Sequence, residues 1–267
     1  MNNRYTVDSQ TAKIRQAVTF VSIIAAFGMN VWANIHPPNG LTIGAISNKF
    51  FSDILITPAN YAFAIWGIIY LGLISFAIYQ VFPAQRANPL LRKVSYQIAI
   101  ASLAQIAWVF CFLYRQYALS FLAMLGILLA LISAYLRLPF DTRISQSQKW
   151  FVRTPISLYL AWISVATIVN AATVLESWKW NGWGISASLW TVVMLLIAAL
   201  ITTTVTVPRL DFAYASVFVW ALIAIAIKNI NNIIISGTAI GLGVTLVILL
   251  LFFGLYFSSN RNIGNNQ

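Results

Sequence analysis

The sequence predicts an all-α protein of the polytopic membrane class, a membrane helix bundle of about eight transmembrane helices. Three observations support this class: 60% of the 267 residues are hydrophobic, only 8% are charged, and the mean hydropathy is +0.82. Such a composition effectively excludes a water-soluble globular domain. The formal net charge of +11 does not indicate a nucleic-acid partner, because the basic residues lie in short stretches between long apolar runs. The lipid bilayer is the expected partner of the chain.

Eight apolar runs approach the length of about 20 residues that a membrane-spanning helix needs. The first run follows a basic flank and lacks a small-residue cleavage site, so we predict a retained membrane helix and not a signal peptide. The seventh run is short and is joined to the eighth by only Asn231 and Asn232. The predicted helices cover residues 17–35, 59–82, 95–114, 117–138, 154–175, 187–207, 212–229 and 233–257.

Lysine and arginine are distributed unevenly between the two sides of these helices. Twelve lie on the side of the N-terminus, including Arg4, Arg86, Arg143 and Arg261, and four lie on the opposite side. Because cytoplasmic loops carry an excess of basic residues, this count predicts cytoplasmic N- and C-termini and an even number of helices. The expected location is a bacterial inner (plasma) membrane.

The longest connection on the opposite side covers residues 37–57 and is rich in proline and glycine. Pro58 follows it and suits the first turn of the next helix, where a missing backbone donor costs nothing. Two interpretations of this loop remain open. It is either a lid over a cavity that opens to the outside, or a long connection that the fold tolerates.

Side chains used in conventional catalysis are scarce in this chain. The acidic residues, none at the centre of a predicted helix, are Asp8, Asp53, Asp141, Glu176 and Asp211. Their positions argue against a proton-coupled pump. The single Cys111 and the single His36 provide no pair of metal ligands, so no metal site is predicted. Triads, paired carboxylates and phosphate loops are also absent from the sequence, which assigns no catalytic residue by these patterns.

Polar and aromatic residues recur on one face of the fifth predicted helix. The residues that share this stripe at about 3.6 residues per turn are Tyr159, Trp162, Ala166 and Asn170. An unpaired amide in hydrocarbon costs several kcal/mol. We therefore expect Asn170 to face other helices or a cavity and not lipid.

Two other helices repeat this pattern. Trp66 and Tyr70 are four residues apart on the second helix and are expected to stack along one face. Gln105 and Trp108 lie on the third, where Gln105 should also face protein or a cavity. Two explanations remain open. The amides either join helices, with about 0.6–2 kcal/mol per hydrogen bond, or orient a large flat apolar molecule in an aromatic pocket.

The segment LYLAWISVATIVN, residues 158–170, closely resembles the last helix of the TspO/MBR family of translocator and tryptophan-rich sensory proteins. The family pattern is PYLAW, then a threonine and an asparagine. Leu158 replaces the proline, and the matching residues are Tyr159, Leu160, Ala161, Trp162, Thr167 and Asn170.

Two further segments are similar to this family in the same order. TPANYAFAIWGIIYL resembles the second family helix at Pro58, Trp66 and Tyr70. LAQIAWVF is similar to an LNWAW segment on the third helix, with Gln105 in place of asparagine and Trp108 retained. The resemblance predicts a five-helix ligand-binding bundle over residues 1–181. Three additional membrane helices and a polar tail, residues 182–267, lie outside it.

The resemblance implies a membrane receptor, sensor or regulator that binds a porphyrin or another tetrapyrrole-like ligand, or another flat apolar molecule, between its helices. No cofactor is required, although a porphyrin or haem-like ligand is implied. Some family members promote light-dependent breakdown of bound porphyrin, for which Trp66 would be the candidate residue. The residues carried over to the pocket are Trp66, Tyr70, Gln105, Trp108, Tyr159, Trp162, Ala166 and Asn170.

The chain departs from the family at two points. VLESWK, residues 174–179, has no tyrosine before its basic residue, which argues against sterol recognition by the motif expected there. The first loop lacks the family's tryptophan-rich sequence, and Trp32 is the nearest candidate for its contacts.

A transporter of an apolar or amphipathic small molecule is the alternative function. Such a protein needs a continuous path, for which Asn30, Asn34 and the asparagines between 229 and 232 are candidate linings. Small residues on the membrane helices would also permit a homodimer, although packing within one chain explains them equally well. These small residues include Gly67, Gly72 and Gly126.

Overall fold

The computed structural model describes residues 2–140 and 144–264, with side chains described for 10–140 and 144–256. Every regular element in those residues is helical, and seven helices are long and apolar enough to cross a membrane. The protein is thus an all-α, polytopic membrane protein, as predicted. The charged residues discussed above whose side chains lie outside the described ranges are Arg4, Asp8, Asp141, Arg143 and Arg261.

The chain divides into two compact units. The first contains Met1–Asp53 and Ala64–Lys179, and the second contains Ile54–Phe63 and Trp180–Gln267. The division near residue 180 lies close to the boundary predicted at 181. The assignment of Ile54–Phe63 to the second unit was not anticipated, because these residues lie between two helices of the first unit in the sequence.

Helices α1 to α7 build the first unit. Helix α4 packs against α1 and α5, while α7 packs against α5 and α3. Phe76, Met124 and Ile163 are fully buried in this unit. A π-helical turn, Lys149–Arg153, links the short α6 to α7. The helices are α1 Asn2–Ile35, α2 Ile43–Phe50, α3 Ile65–Val81, α4 Pro89–Leu113, α5 Tyr117–Tyr135, α6 Gln146–Gln148 and α7 Thr154–Ser177.

Helix α2 lies inside the predicted first loop. It begins after Thr42, whose hydroxyl oxygen accepts a hydrogen bond from the Ala45 amide at 3.2 Å. On either side of α2, Asn39 donates to the Leu113 carbonyl at 3.0 Å, and the rings of Phe51 and Tyr117 meet edge-on at 4.9 Å. An eight-residue helix is too short to give a clear periodic signal. No helix was predicted in this connection, and both interpretations of the loop remain open.

The second unit contains α8 Ala187–Thr206, α9 Phe212–Lys228 and α10 Ile233–Gly264. The seventh predicted helix is α9, and its 17 residues make it shorter than the seven candidate membrane spans. Asn232 precedes α10, where its side-chain oxygen accepts from the Ile235 amide at 3.4 Å and its nitrogen donates to the Ser188 hydroxyl at 2.9 Å.

Hydrogen bonds from α9 and the residue after it hold the segment Ile54–Phe63. Lys228 donates to the Ile54 carbonyl at 3.0 Å, and Asn229 donates to the Leu55 carbonyl at 2.9 Å. The Ala59 amide then donates to the Ala224 carbonyl at 3.1 Å, and the Trp220 indole donates to the Ala62 carbonyl at 3.0 Å. These bonds satisfy backbone groups of a segment outside the α-helices of a membrane protein, where unsatisfied groups are costly.

The second predicted helix was expected to begin at residue 59, but its regular α-helix begins later. A 3₁₀ turn covers Asn60–Ala64, and the regular α-helix starts at Ile65. The bonds to α9 account for the delay, because the backbone of Ala59 is paired outside its own segment. A contact partner 165 residues later in the chain, Ala224, gives no local sequence signal.

Two of the small residues are used for packing inside the first unit. A Cβ atom at Gly72 would lie 3.3 Å from the Pro155 Cβ, so glycine allows close approach of α3 and α7. A Cβ atom at Gly126 would lie 3.7 Å from that of Ala104, whereas one at Gly67 would meet nothing within 4 Å. Packing within the chain thus accounts for Gly72 and Gly126.

Candidate functional site

Three helices meet at a buried amide between two phenols. Gln105 on α4 donates through Nε2 to the Tyr70 hydroxyl on α3 and accepts through Oε1 from the Tyr159 hydroxyl on α7 at 2.5 Å. Tyr70 is 5% exposed, Gln105 1% and Tyr159 0%. We call these three residues the phenol–amide group. Its hydrogen bonds are made where water is excluded, which makes the position of each ring specific.

Trp66 covers one side of the phenol–amide group. Its ring stacks on that of Tyr70, with 5.5 Å between centroids and 28° between planes. It meets the ring of Tyr159 edge-on at 6.1 Å. Phe27 on α1 contacts Tyr70 edge-on at 5.1 Å. Trp66 and Phe27 are both only partly buried, so they form the accessible edge of a cluster whose interior is closed.

A second hydrogen-bonded group lies further along α7. The Trp108 indole donates to Asn170 Oδ1 at 3.1 Å. The Ser120 hydroxyl, which donates to the Tyr117 carbonyl at 2.8 Å, lies 3.4 Å from the same Asn170 oxygen. Asn170 Nδ2 donates to the carbonyl of Ala166 at 3.1 Å. The Asn170 side chain therefore lies where α4, α5 and α7 meet, and Asn170 is 5% exposed.

Apart from Trp66, which stacks on the first group, the predicted site residues fall into these two groups and the part of α7 between them. Tyr159 and Asn170 are eleven residues apart, or about 16 Å along a helix. Trp162 and Ala166 lie between them, and they differ in burial: Trp162 is 2% exposed, whereas Ala166 is only half-buried. The stripe read from the sequence thus contains a closed section and a section that is partly accessible.

Two local predictions about these residues are confirmed. Trp66 and Tyr70 stack along one face of α3, and the amides of Gln105 and Asn170 bond to other helices. Each of the two amides uses both its oxygen and its nitrogen in bonds within the protein. These bonds join the helices, as the first of the two explanations for the amides requires.

The sequence analysis did not predict two residues that contact the predicted site residues. Phe27 and Ser120 lie on helices to which the stripe analysis assigned no site residue. A phenylalanine or a serine in an apolar run is common, and neither gives a signal by itself. Among the described residues, no group of three or more His, Cys, Asp or Glu side chains is placed to hold a metal ion.

Comparison with known protein families matches residues 16–252 to the family described as TSPO-like protein. The match includes the segments that resemble the TspO family and continues beyond residue 181 through α8, α9 and most of α10. No curated protein and no solved structure matches the chain. Since the match covers most of the sequence and both compact units, the chain belongs to the TSPO-like protein family.

Proposed function

We propose that this protein is a membrane receptor, sensor or regulator whose first unit binds a flat apolar ligand of the tetrapyrrole class. One observation carries the proposal: Trp66, a partly exposed indole, is stacked on a buried phenol that two other helices hold in place. A bacterial inner membrane with cytoplasmic termini remains the location we propose, from the distribution of basic residues.

The proposed contact surface is the accessible edge formed by Trp66 and Phe27, with Ala166 as the half-buried member of the α7 stripe. Flat aromatic ligands gain from stacked or edge-on contact with such rings. The phenol–amide group fixes Tyr70, and Tyr70 in turn supports Trp66, so little ordering of side chains is needed on binding. This preorganisation favours a specific site over a general affinity for lipid.

The test is a titration of the purified, detergent-solubilised protein with protoporphyrin IX, followed by porphyrin absorbance and tryptophan fluorescence quenching. Wild type is expected to saturate. Trp66→Leu removes the accessible indole and should weaken binding roughly two- to tenfold, since an aromatic pair contributes about 0.5–1.5 kcal/mol beyond its buried area. Trp178→Leu is the matched control, because Trp178 is 67% exposed at the end of α7. It should leave the affinity unchanged.

Non-saturable quenching in wild type, equal to that of detergent alone, would contradict the proposal. Equal affinities of wild type and Trp66→Leu would contradict the placement of the ligand. A measurement of porphyrin flux in reconstituted vesicles tests the alternative that the protein is a transporter. Two of the asparagines proposed to line a path, Asn229 and Asn232, make bonds within the second unit.

A further inference from the structure

A buried arginine lies near the start of the first membrane span. Arg15 belongs to the span Gln10–Ile35 and is 4% exposed. Its Nη2 donates to the backbone carbonyl of Arg86 at 3.1 Å, but its Nε is buried without any hydrogen-bond partner. A guanidinium is always charged and carries five donors. Burial of such a group is costly unless an anion or several acceptors surround it.

Two other arginines lie in the chain segments next to Arg15, and Arg86 meets it through its backbone carbonyl. Arg86, in the connection between α3 and α4, is half-buried, and its Nε also lacks a partner. Arg92, in the first turns of α4, lies within electrostatic range of Arg15. Among the described side chains, no ion pair joins Arg15, Arg86 or Arg92 to a carboxylate. Positive charge is therefore concentrated here without a compensating group from the described part of the chain.

Hydrogen bonds between helices fix the backbone around Arg15. Gln16 Nε2 donates to the Gln80 carbonyl at 2.5 Å, and Gln80 Nε2 donates to the Gln16 carbonyl at 2.8 Å. Thr19 donates to the Ser95 carbonyl at 3.2 Å. These bonds tie α1 to the end of α3 and to α4, directly beside Arg15. The arginine is thus placed by its neighbours and is not a freely moving surface side chain.

In the described residues, most buried polar side-chain atoms without a partner belong to Arg15 itself or to residues that hydrogen-bond to α1 beside it. Of the five buried side-chain atoms without a partner in the described residues, four belong to Arg15, Gln80, Arg86 and Ser95. Two are guanidinium N–H donors, one is a hydroxyl and one is an amide oxygen. A group with several acceptor oxygens and a negative charge would satisfy the donors, and the amide oxygen would accept from a hydroxyl of the same molecule.

We propose that Arg15, Gln80, Arg86, Arg92 and Ser95 form a binding site for a phosphate-type oxyanion. Guanidinium groups bind phosphate through parallel N–H···O bonds, and a tetrahedral anion offers acceptors to more than one of them. The phosphate is that of an anionic phospholipid headgroup or of a phosphorylated soluble molecule, which share this chemistry. The site lies at an end of a membrane span, where lipid phosphates are found.

The first measurement compares dioleoyl phosphatidylglycerol with dioleoyl phosphatidylcholine by native mass spectrometry of the delipidated, detergent-solubilised protein. Wild type should bind phosphatidylglycerol about tenfold more tightly. Arg15→Gln should lose this preference, because loss of a charged hydrogen bond lowers affinity about tenfold or more. Arg15→Lys should retain part of it. Arg137→Gln is the matched control, since Arg137 is exposed and bonds to Ser133.

The second measurement separates the two sources of phosphate. Displacement of phosphatidylglycerol by millimolar inorganic phosphate, or phosphate binding without any lipid preference, would identify a soluble oxyanion; no displacement would identify the headgroup. If Arg15→Gln does not fold, Arg86→Gln should give the same loss. The proposal is overturned if wild type shows neither lipid preference nor phosphate binding. It is also overturned if a folded Arg15→Gln or Arg86→Gln variant binds like wild type.

Discussion

Replacing Gln105 with leucine is expected to destabilise the protein strongly. The substitution leaves the hydroxyls of Tyr70 and Tyr159 in a closed interior without their shared amide. A buried polar group that loses its partner costs about 1–3 kcal/mol, and two such groups are affected here. We therefore expect a clear fall in the temperature of unfolding. The single cysteine of the chain, half-buried Cys111, allows unfolding to be followed by its reaction with a fluorescent maleimide.

A triple variant tests the physical reason for this loss. Gln105→Leu combined with Tyr70→Phe and Tyr159→Phe removes the polar atoms on both sides of each bond. Replacement of both partners by apolar groups of similar shape is close to neutral. The triple variant should thus recover much of the stability that the single variant loses. If it is less stable than Gln105→Leu alone, the cost arises from shape and not from unpaired hydroxyls.

Replacing Trp162 with alanine should have an effect of similar or greater size. The indole is 2% exposed, so its removal leaves a cavity within the first unit. Large-to-small changes of this kind cost about 3–5 kcal/mol. We expect Trp162→Ala to unfold at a lower temperature in the Cys111 assay, with no ligand present.

Comparison with Trp66→Leu separates packing from ligand contact. Trp66 is partly exposed, and its substitution should weaken porphyrin binding with a smaller change in stability. Trp162→Ala should reduce stability first, and folded Trp162→Ala protein should retain the accessible edge. If Trp162→Ala is as stable as wild type and has lost porphyrin binding, the indole contacts the ligand directly and our division of the stripe is wrong.

The length of the apolar runs was sufficient to predict the seven candidate membrane spans, and periodicity predicted the orientation of their polar faces. Trp66 and Tyr70 stack because residues four apart share a helix face, a purely local rule. Gln105 and Asn170 bond to other helices because hydrocarbon does not satisfy an amide. Both rules depend on spacing and on the solvent, and neither requires knowledge of the partner.

The partners themselves were not predictable in this way. The hydrogen bonds between Gln16 and Gln80, and the bond from Trp220 to Ala62, join residues distant in the sequence. Spacing within one helix carries no information on such pairs. Arg15 and Gln16 directly precede the apolar run at 17–35, in a basic flank, so no signal in the sequence indicated that both would be buried.

The most direct test of the central claim is to locate the bound ligand. A porphyrin carrying a photoreactive diazirine, illuminated on the solubilised protein and followed by peptide mapping, reports which residues it touches. We predict labels on α3 around Trp66, on α1 around Phe27 and on α7 around Ala166, with competition by unlabelled protoporphyrin IX. Labels confined to exposed positions such as Trp150 and Trp178, or insensitive to competition, would contradict a ligand site at the accessible edge formed by Trp66 and Phe27.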